Sequence, residues 1–88
     1  MKGQEFRLRE LYEGDVFEEN GQYFIITRRV RGEQEIFPSE VEIAPVKPKA
    51  SWGGMRTVWE DVPNGKKAVL SAKEKLNSSV NKVGRREK

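Results

Sequence analysis

Between Glu5 and Pro45 apolar residues come in short runs divided by Gly-containing turns, the punctuation of a compact antiparallel β structure. Phe6 and Leu8 alternate with Arg7 and Arg9, which predicts a first strand with one apolar face. Glu13-Gly14-Asp15 marks a turn, and Val16-Phe17-Glu18 restarts an extended segment. Asn20-Gly21 is the strongest local signal, because both residues tolerate the positive φ that a type I′ hairpin turn demands; it joins residues 15–19 to the next strand. Tyr23-Phe24-Ile25-Ile26-Thr27 is aromatic and β-branched on both faces and predicts a central strand. After a turn at Arg31-Gly32, Gln34-Glu35-Ile36-Phe37 reads as a short strand stopped by Pro38. Pro38-Ser39-Glu40 suits one tight helical turn before Val41-Glu42-Ile43 alternates again, and Pro45 and Pro48 end regular pairing. Five short strands with hairpin connections predict a partly open five-stranded barrel, with a twisted three-stranded meander as the alternative.

Beyond Pro45 the pattern changes. Residues 45–54 read as a basic, extended linker holding Trp52. Met55 to Val62 alternates in β fashion, and Pro63-Asn64-Gly65-Lys66 signals another turn. Two continuations compete: a hairpin strand over 66–70, or a helix over 66–77. The helix is favoured by Ala68, Leu70, Ala72, Lys73, Glu74, Lys75 and Leu76, and by the stripe Val69, Ala72, Leu76, Val80, Val83 at spacings of three and four. It is expected to fray near Ser78 and to give way to a mobile tail over 84–88. The stripe would dock on the parent domain in preference to a partner. The expected architecture is one domain, mainly β: a five-stranded barrel over 1–45 and, packed on it over 46–88, a linker, a β segment, a C-terminal helical extension and a tail.

Particular residues extend this picture. Gly14-Asp15-Val16-Phe17, a hairpin, then Ile36-Phe37-Pro38-Ser39 and Val41-Glu42-Ile43 resemble the order of signatures in SH3 domains over roughly residues 6 to 45. The tryptophan pair of that family is replaced here by Tyr23-Phe24, which argues against proline-rich peptide binding. Leu11-Tyr12-Glu13-Gly14-Asp15-Val16 followed by Asn20-Gly21-Gln22-Tyr23-Phe24-Ile25-Ile26 is similar to a phrase in small phage proteins with SH3-like barrels, such as the YopX-like and head–tail stopper families. That resemblance implies a phage or mobile-element origin.

Charge alters the reading more than composition does. The net charge of +3 over 88 residues divides unevenly. Residues 1–44 carry six Lys or Arg against ten Asp or Glu, and residues 45–88 carry eleven against four. An acidic barrel is thus joined to a basic extension. With neither Cys nor His, thiol and imidazole catalysis, zinc sites and disulfides are excluded. The serines have no histidine to activate them, the carboxylates of Glu18-Glu19 and Glu40/Glu42 suit solvated strand faces, and Trp52-Gly53-Gly54-Met55 lacks the lysine of a phosphate-binding loop. A protein that is not an enzyme, with no metal and no cofactor, is expected. No apolar run is long enough to span a bilayer, and no signal-peptide core is evident, so a cytoplasmic protein is expected, in a host cell if the gene is a phage's.

The candidate chemistry is electrostatic. Arg28, Arg29 and Arg31 leave the central strand together, and Lys47, Lys49, Arg56, Lys66 and Lys67 follow. Converged, they would form a strip for a phosphate backbone, with Trp52 or Tyr23 stacking on bases. The expected function is therefore a small accessory protein that associates with nucleic acid. The alternative is a protein–protein module, a phage assembly component or a regulator of a host protein, that binds through Trp52, Trp59 and Tyr23.

Overall fold

The structure, a computed structural model, describes residues 4–50 and 56–86. It is mainly β, with seven antiparallel strands in one sheet: β1 (Gln4–Arg7), β2 (Asp15–Glu19), β3 (Gln22–Val30), β4 (Glu40–Ala50), β5 (Thr57–Asp61), β6 (Ala68–Leu70) and β7 (Ser79–Arg85). A 3-10 turn, Leu8–Glu10, follows β1, and a short helix, α1 (Lys73–Leu76), precedes β7. The strands lie in the order β1-β7-β2-β3-β4-β5, while β6 pairs with the N-terminal part of β4 at Val41–Ile43. Among the described residues no strand pairing joins the two ends of this path, so the sheet they form is not a closed barrel.

The hairpin at Asn20-Gly21 forms as its residues require. Asn20 has φ 54° and Gly21 φ 79°, which sets Val16 opposite Ile25 and Phe17 opposite Phe24. The first pair turns both its side chains to one face of the sheet and the second pair turns both to the other, and both faces are covered. On one, Phe17, Ile26, Val41, Ile43 and Val80 pack with Leu8, Leu11 and Leu76; on the other, Val16, Ile25 and Val46 pack with Trp59. The central strands are therefore apolar on both sides, as the run Tyr23–Thr27 predicts.

Several elements differ from expectation. The first strand is shorter than expected, because Leu8 leaves β1 for the 3-10 turn, where it is fully buried. Residues 34–37 form no strand. They lie in the loop joining β3 to β4, where Glu35 N–H donates to the Gly32 carbonyl (3.2 Å) and Ser39 N–H closes the loop on the Val30 carbonyl (2.8 Å). The helical turn expected at Pro38-Ser39-Glu40 is likewise absent, since Glu40 already belongs to β4.

Pro45 and Pro48 do not end pairing: β4 runs through both to Ala50. The carbonyl of Pro45 accepts the Val62 N–H (3.2 Å), so the position of its missing N–H faces the same way, into the gap between β6 and β5. Pro48, three residues on, faces the opposite edge, beyond the last pairing with β3 at Val46. The expected basic linker is thus largely the outer half of β4, and a boundary at residue 45 falls inside a strand.

The long helix expected over 66–77 is replaced by β6 and a four-residue helix, and β7 follows where it was to fray. The apolar stripe is shared among three elements: Val69 on β6 is exposed, Leu76 is the buried residue of α1, and Val80 and Val83 pack on opposite faces of the sheet. The expected mobile tail begins inside β7, and Arg86 N–H donates to the Gly14 carbonyl (2.7 Å). Insertion of β7 between β1 and β2 outweighs local helix propensity, because the sheet buries Val80 and satisfies a strand's backbone on both edges.

Candidate functional site: a basic groove beside β3

Strand β3 is longer than its partner. Pairing with β2 ends at Ile25 opposite Val16, and Ile26–Val30 continue past it. The edge so exposed is finished by the turn before β2: Gly14 N–H donates to the Ile26 carbonyl (2.8 Å), and Arg29 N–H donates to the Glu13 carboxylate (3.3 Å). Gly14 can do this only as glycine. Its φ is +93°, and a Cβ there would stand 2.7 Å from the Arg86 carbonyl oxygen.

Beside this strand lies an open groove of about 980 Å³, lined by Tyr12, Glu13, Gly14, Ile25, Ile26, Thr27, Arg29, Arg31, Lys67, Arg85 and Arg86. Five side chains in that lining are cationic and one, Glu13, is acidic. The cations arrive from three parts of the chain, β3 with its following loop, the segment before β6, and the end of β7.

Most of these cations are held in place. Asp15, 2% exposed, accepts the Tyr12 N–H (2.8 Å) and Arg85 Nη1 (2.6 Å), with Lys82 Nζ at 3.5 Å. Arg86 Nη1 donates to the Trp59 carbonyl (3.2 Å) and to Asp61 (2.9 Å). Arg29 Nη2 donates to the Arg9 carbonyl (3.1 Å), and its guanidinium lies 4.5 Å from the centroid of the Tyr12 ring. Lys67 Nζ is a loose 3.7 Å from Glu42, with a side chain 64% exposed, and Arg31 is exposed in the loop. A guanidinium fixed by one carboxylate keeps further N–H groups for an anion, and its direction is set in advance.

The structure gathers three of the expected cations here, Arg29, Arg31 and Lys67, and separates the rest. Arg28 is exposed and stands opposite Glu42 across the β3–β4 pair. Lys47 and Lys49 are exposed on the outer half of β4, where Lys49 pairs with Glu60 (3.1 Å). Lys66 lies exposed just after the Asn64-Gly65 turn, outside the groove lining, and Arg56 is exposed just before β5. Trp52 lies outside the described residues.

Trp59 is not a surface anchor, as the alternative reading required. It is 8% exposed in the core with Val16, Ile25 and Val46, and a Cβ on Gly84 would stand 2.7 Å from its Nε1. Tyr23, half-buried, packs on it with ring centroids 5.1 Å apart. Sequence reasoning missed Tyr12, Arg85 and Arg86. The signal for the arginines was present in Gly84-Arg85-Arg86, but a tail assignment concealed it; Tyr12 carried none until the fold placed it beside Arg29.

Searches against protein-family models, curated proteins and solved structures find no match for this chain. Among the described residues no helix is long and apolar enough to cross a membrane.

Proposed function

We propose that this is a non-enzymatic accessory protein that associates with nucleic acid, whose phosphates lie in the groove along the outer half of β3. The observation that carries this reading is the convergence of Arg29, Arg31, Lys67, Arg85 and Arg86 on one concave surface. Phage or mobile-element origin belongs to the same proposal. The two stretches that resemble small phage barrels, Leu11–Val16 and Asn20–Ile26, supply the turn and the strand on which the groove is built. The curled sheet fits an SH3-like barrel left open. In support, β7 returns beside β2, and the Arg86 side chain reaches across to β5 at Trp59 and Asp61.

Titration of a fluorescein-labelled oligonucleotide at about 50 and about 200 mM salt tests the proposal. Binding is expected to weaken steeply as salt rises, and the double variant Arg31→Glu/Lys67→Glu to weaken it about tenfold or more, while Lys47→Glu on the outer half of β4 has little effect. Absence of binding at the lower salt, or equal damage from Lys47→Glu, would overturn it.

The alternative of a protein-interaction module now rests on a different feature. The loop between β3 and β4 displays Ile36, 80% exposed, beside Phe37, whose ring lies 4.3 Å from the Arg9 guanidinium. A host protein captured by the wild type and by Arg31→Glu, but lost with Ile36→Asp, would favour that reading.

A further inference from the structure

We infer that the groove selects single-stranded nucleic acid by stacking one unpaired base on the ring of Tyr12, an inference that rests on the groove reading above. Tyr12 is 62% exposed although it stands in a tightly made turn. Its N–H donates to the buried Asp15 carboxylate (2.8 Å), and its carbonyl accepts the Asp15 N–H (3.0 Å). Leu11 before it is 1% exposed, and Gly14 after it is locked to Ile26 and Arg86. The backbone that bears the ring is therefore fixed from both sides.

The ring itself is steadied by Arg29, whose guanidinium lies 4.5 Å from its centroid and is anchored on the Arg9 carbonyl. Exposure of 62% leaves the rest of the aromatic surface to solvent, in the same lining as Arg31 and Lys67. A rigid aromatic surface next to cations is the arrangement that holds a single strand: stacking takes the base and the cations take its phosphates. Within a duplex the base faces are already stacked on their neighbours, so Tyr12 would gain no contact there.

The test compares an oligo-dT of about ten nucleotides, the matching oligo-U, and the oligo-dT annealed to its complement, at about 50 mM salt. The proteins are wild type, Tyr12→Phe and Tyr12→Ala, each checked for an unchanged melting temperature. The single strands are expected to bind about tenfold or more tighter than the duplex. Tyr12→Ala should remove that advantage while leaving the dependence on salt unaltered, because no phosphate contact is lost, and Tyr12→Phe should retain it. Equal binding of duplex and single strand, or undiminished binding by Tyr12→Ala, overturns this inference alone, provided Arg31→Glu/Lys67→Glu still weakens binding. If no probe binds the wild type, the groove reading fails and the inference falls with it.

Discussion

Gly14 and Asp15 are adjacent and do different work for the groove. Gly14 supplies a φ of +93° and room for the Arg86 carbonyl, so Gly14→Ala adds a clash to a disfavoured conformation. Its expected loss of stability is about 3 kcal/mol, against about 1 kcal/mol for Gly21→Ala, where φ is +79° but nothing lies within 4 Å of the new Cβ. Urea midpoints of the two variants check this, and equal shifts would contradict it. Asp15 is a buried carboxylate that unites Tyr12, Lys82 and Arg85. Asp15→Asn keeps the shape and removes the charge, so it is expected to lower stability by about 1.5–3 kcal/mol in the same measurement. The turn at Gly14 was legible from the dipeptide Gly14-Asp15. The burial of Asp15 was not, because its cationic partners lie some seventy residues further along the chain.

At the scale of elements, strands whose partners are near in sequence were readable and those whose partners are remote were not. β2, the turn and β3 follow from Asn20-Gly21 and the flanking apolar runs, since a tight turn sets its own register. β7 pairs with β1 and β2 from the other end of the chain, and nothing within residues 79–85 announces it. Its valines at 80 and 83 suit a helical spacing equally well, continuing the stripe of Val69, Ala72 and Leu76 that favours a helix over 66–77. Hydrogen exchange distinguishes the two arrangements. The amides of Val80 to Lys82, in a strand flanked on both sides, should be among the most protected, and those of the edge strand β5 at Thr57 and Val58 among the least. Rapid exchange throughout β7 would refute the strand order. Pro48 illustrates the same limit: as a local signal it marks an end to pairing, yet its missing N–H falls on an edge that β3 has already vacated.

Over the whole molecule, the two apolar clusters share β2 and β3, because Val16 and Phe17, like Ile25 and Ile26, point to opposite faces. Neither cluster can loosen without the other, so unfolding is expected to be a single transition. In a Trp52→Phe background, fluorescence reports on Trp59 in one cluster. Leu76→Ala in the other should cost about 2–5 kcal/mol and lower the fluorescence and circular-dichroism transitions together. Separate transitions would show two independent cores. The division of charge also finds its meaning at this scale. Of the six ion pairs among the described residues, four join the basic C-terminal half to acidic residues of the N-terminal half: Lys67 to Glu42, Lys75 to Glu19, and Lys82 and Arg85 to Asp15. Part of the basic excess is therefore taken up internally, even in the groove, where Lys67 and Arg85 line the surface while paired with Glu42 and Asp15.

The sequence by itself determined a mainly β chain, the Asn20-Gly21 hairpin, the doubly apolar central strand, and the absence of thiol and imidazole chemistry. Each depends on residue identity or on neighbours a few positions apart. Only the tertiary structure decided that the C-terminal segment is a strand inside the sheet, that Trp59 is core, and that Tyr12, Arg29, Arg31, Lys67, Arg85 and Arg86 line one surface. The physical reason is common to all three. Local preferences amount to fractions of a kcal/mol per residue, whereas burying a side chain and pairing a strand on both edges contribute more, and they depend on which distant segments meet.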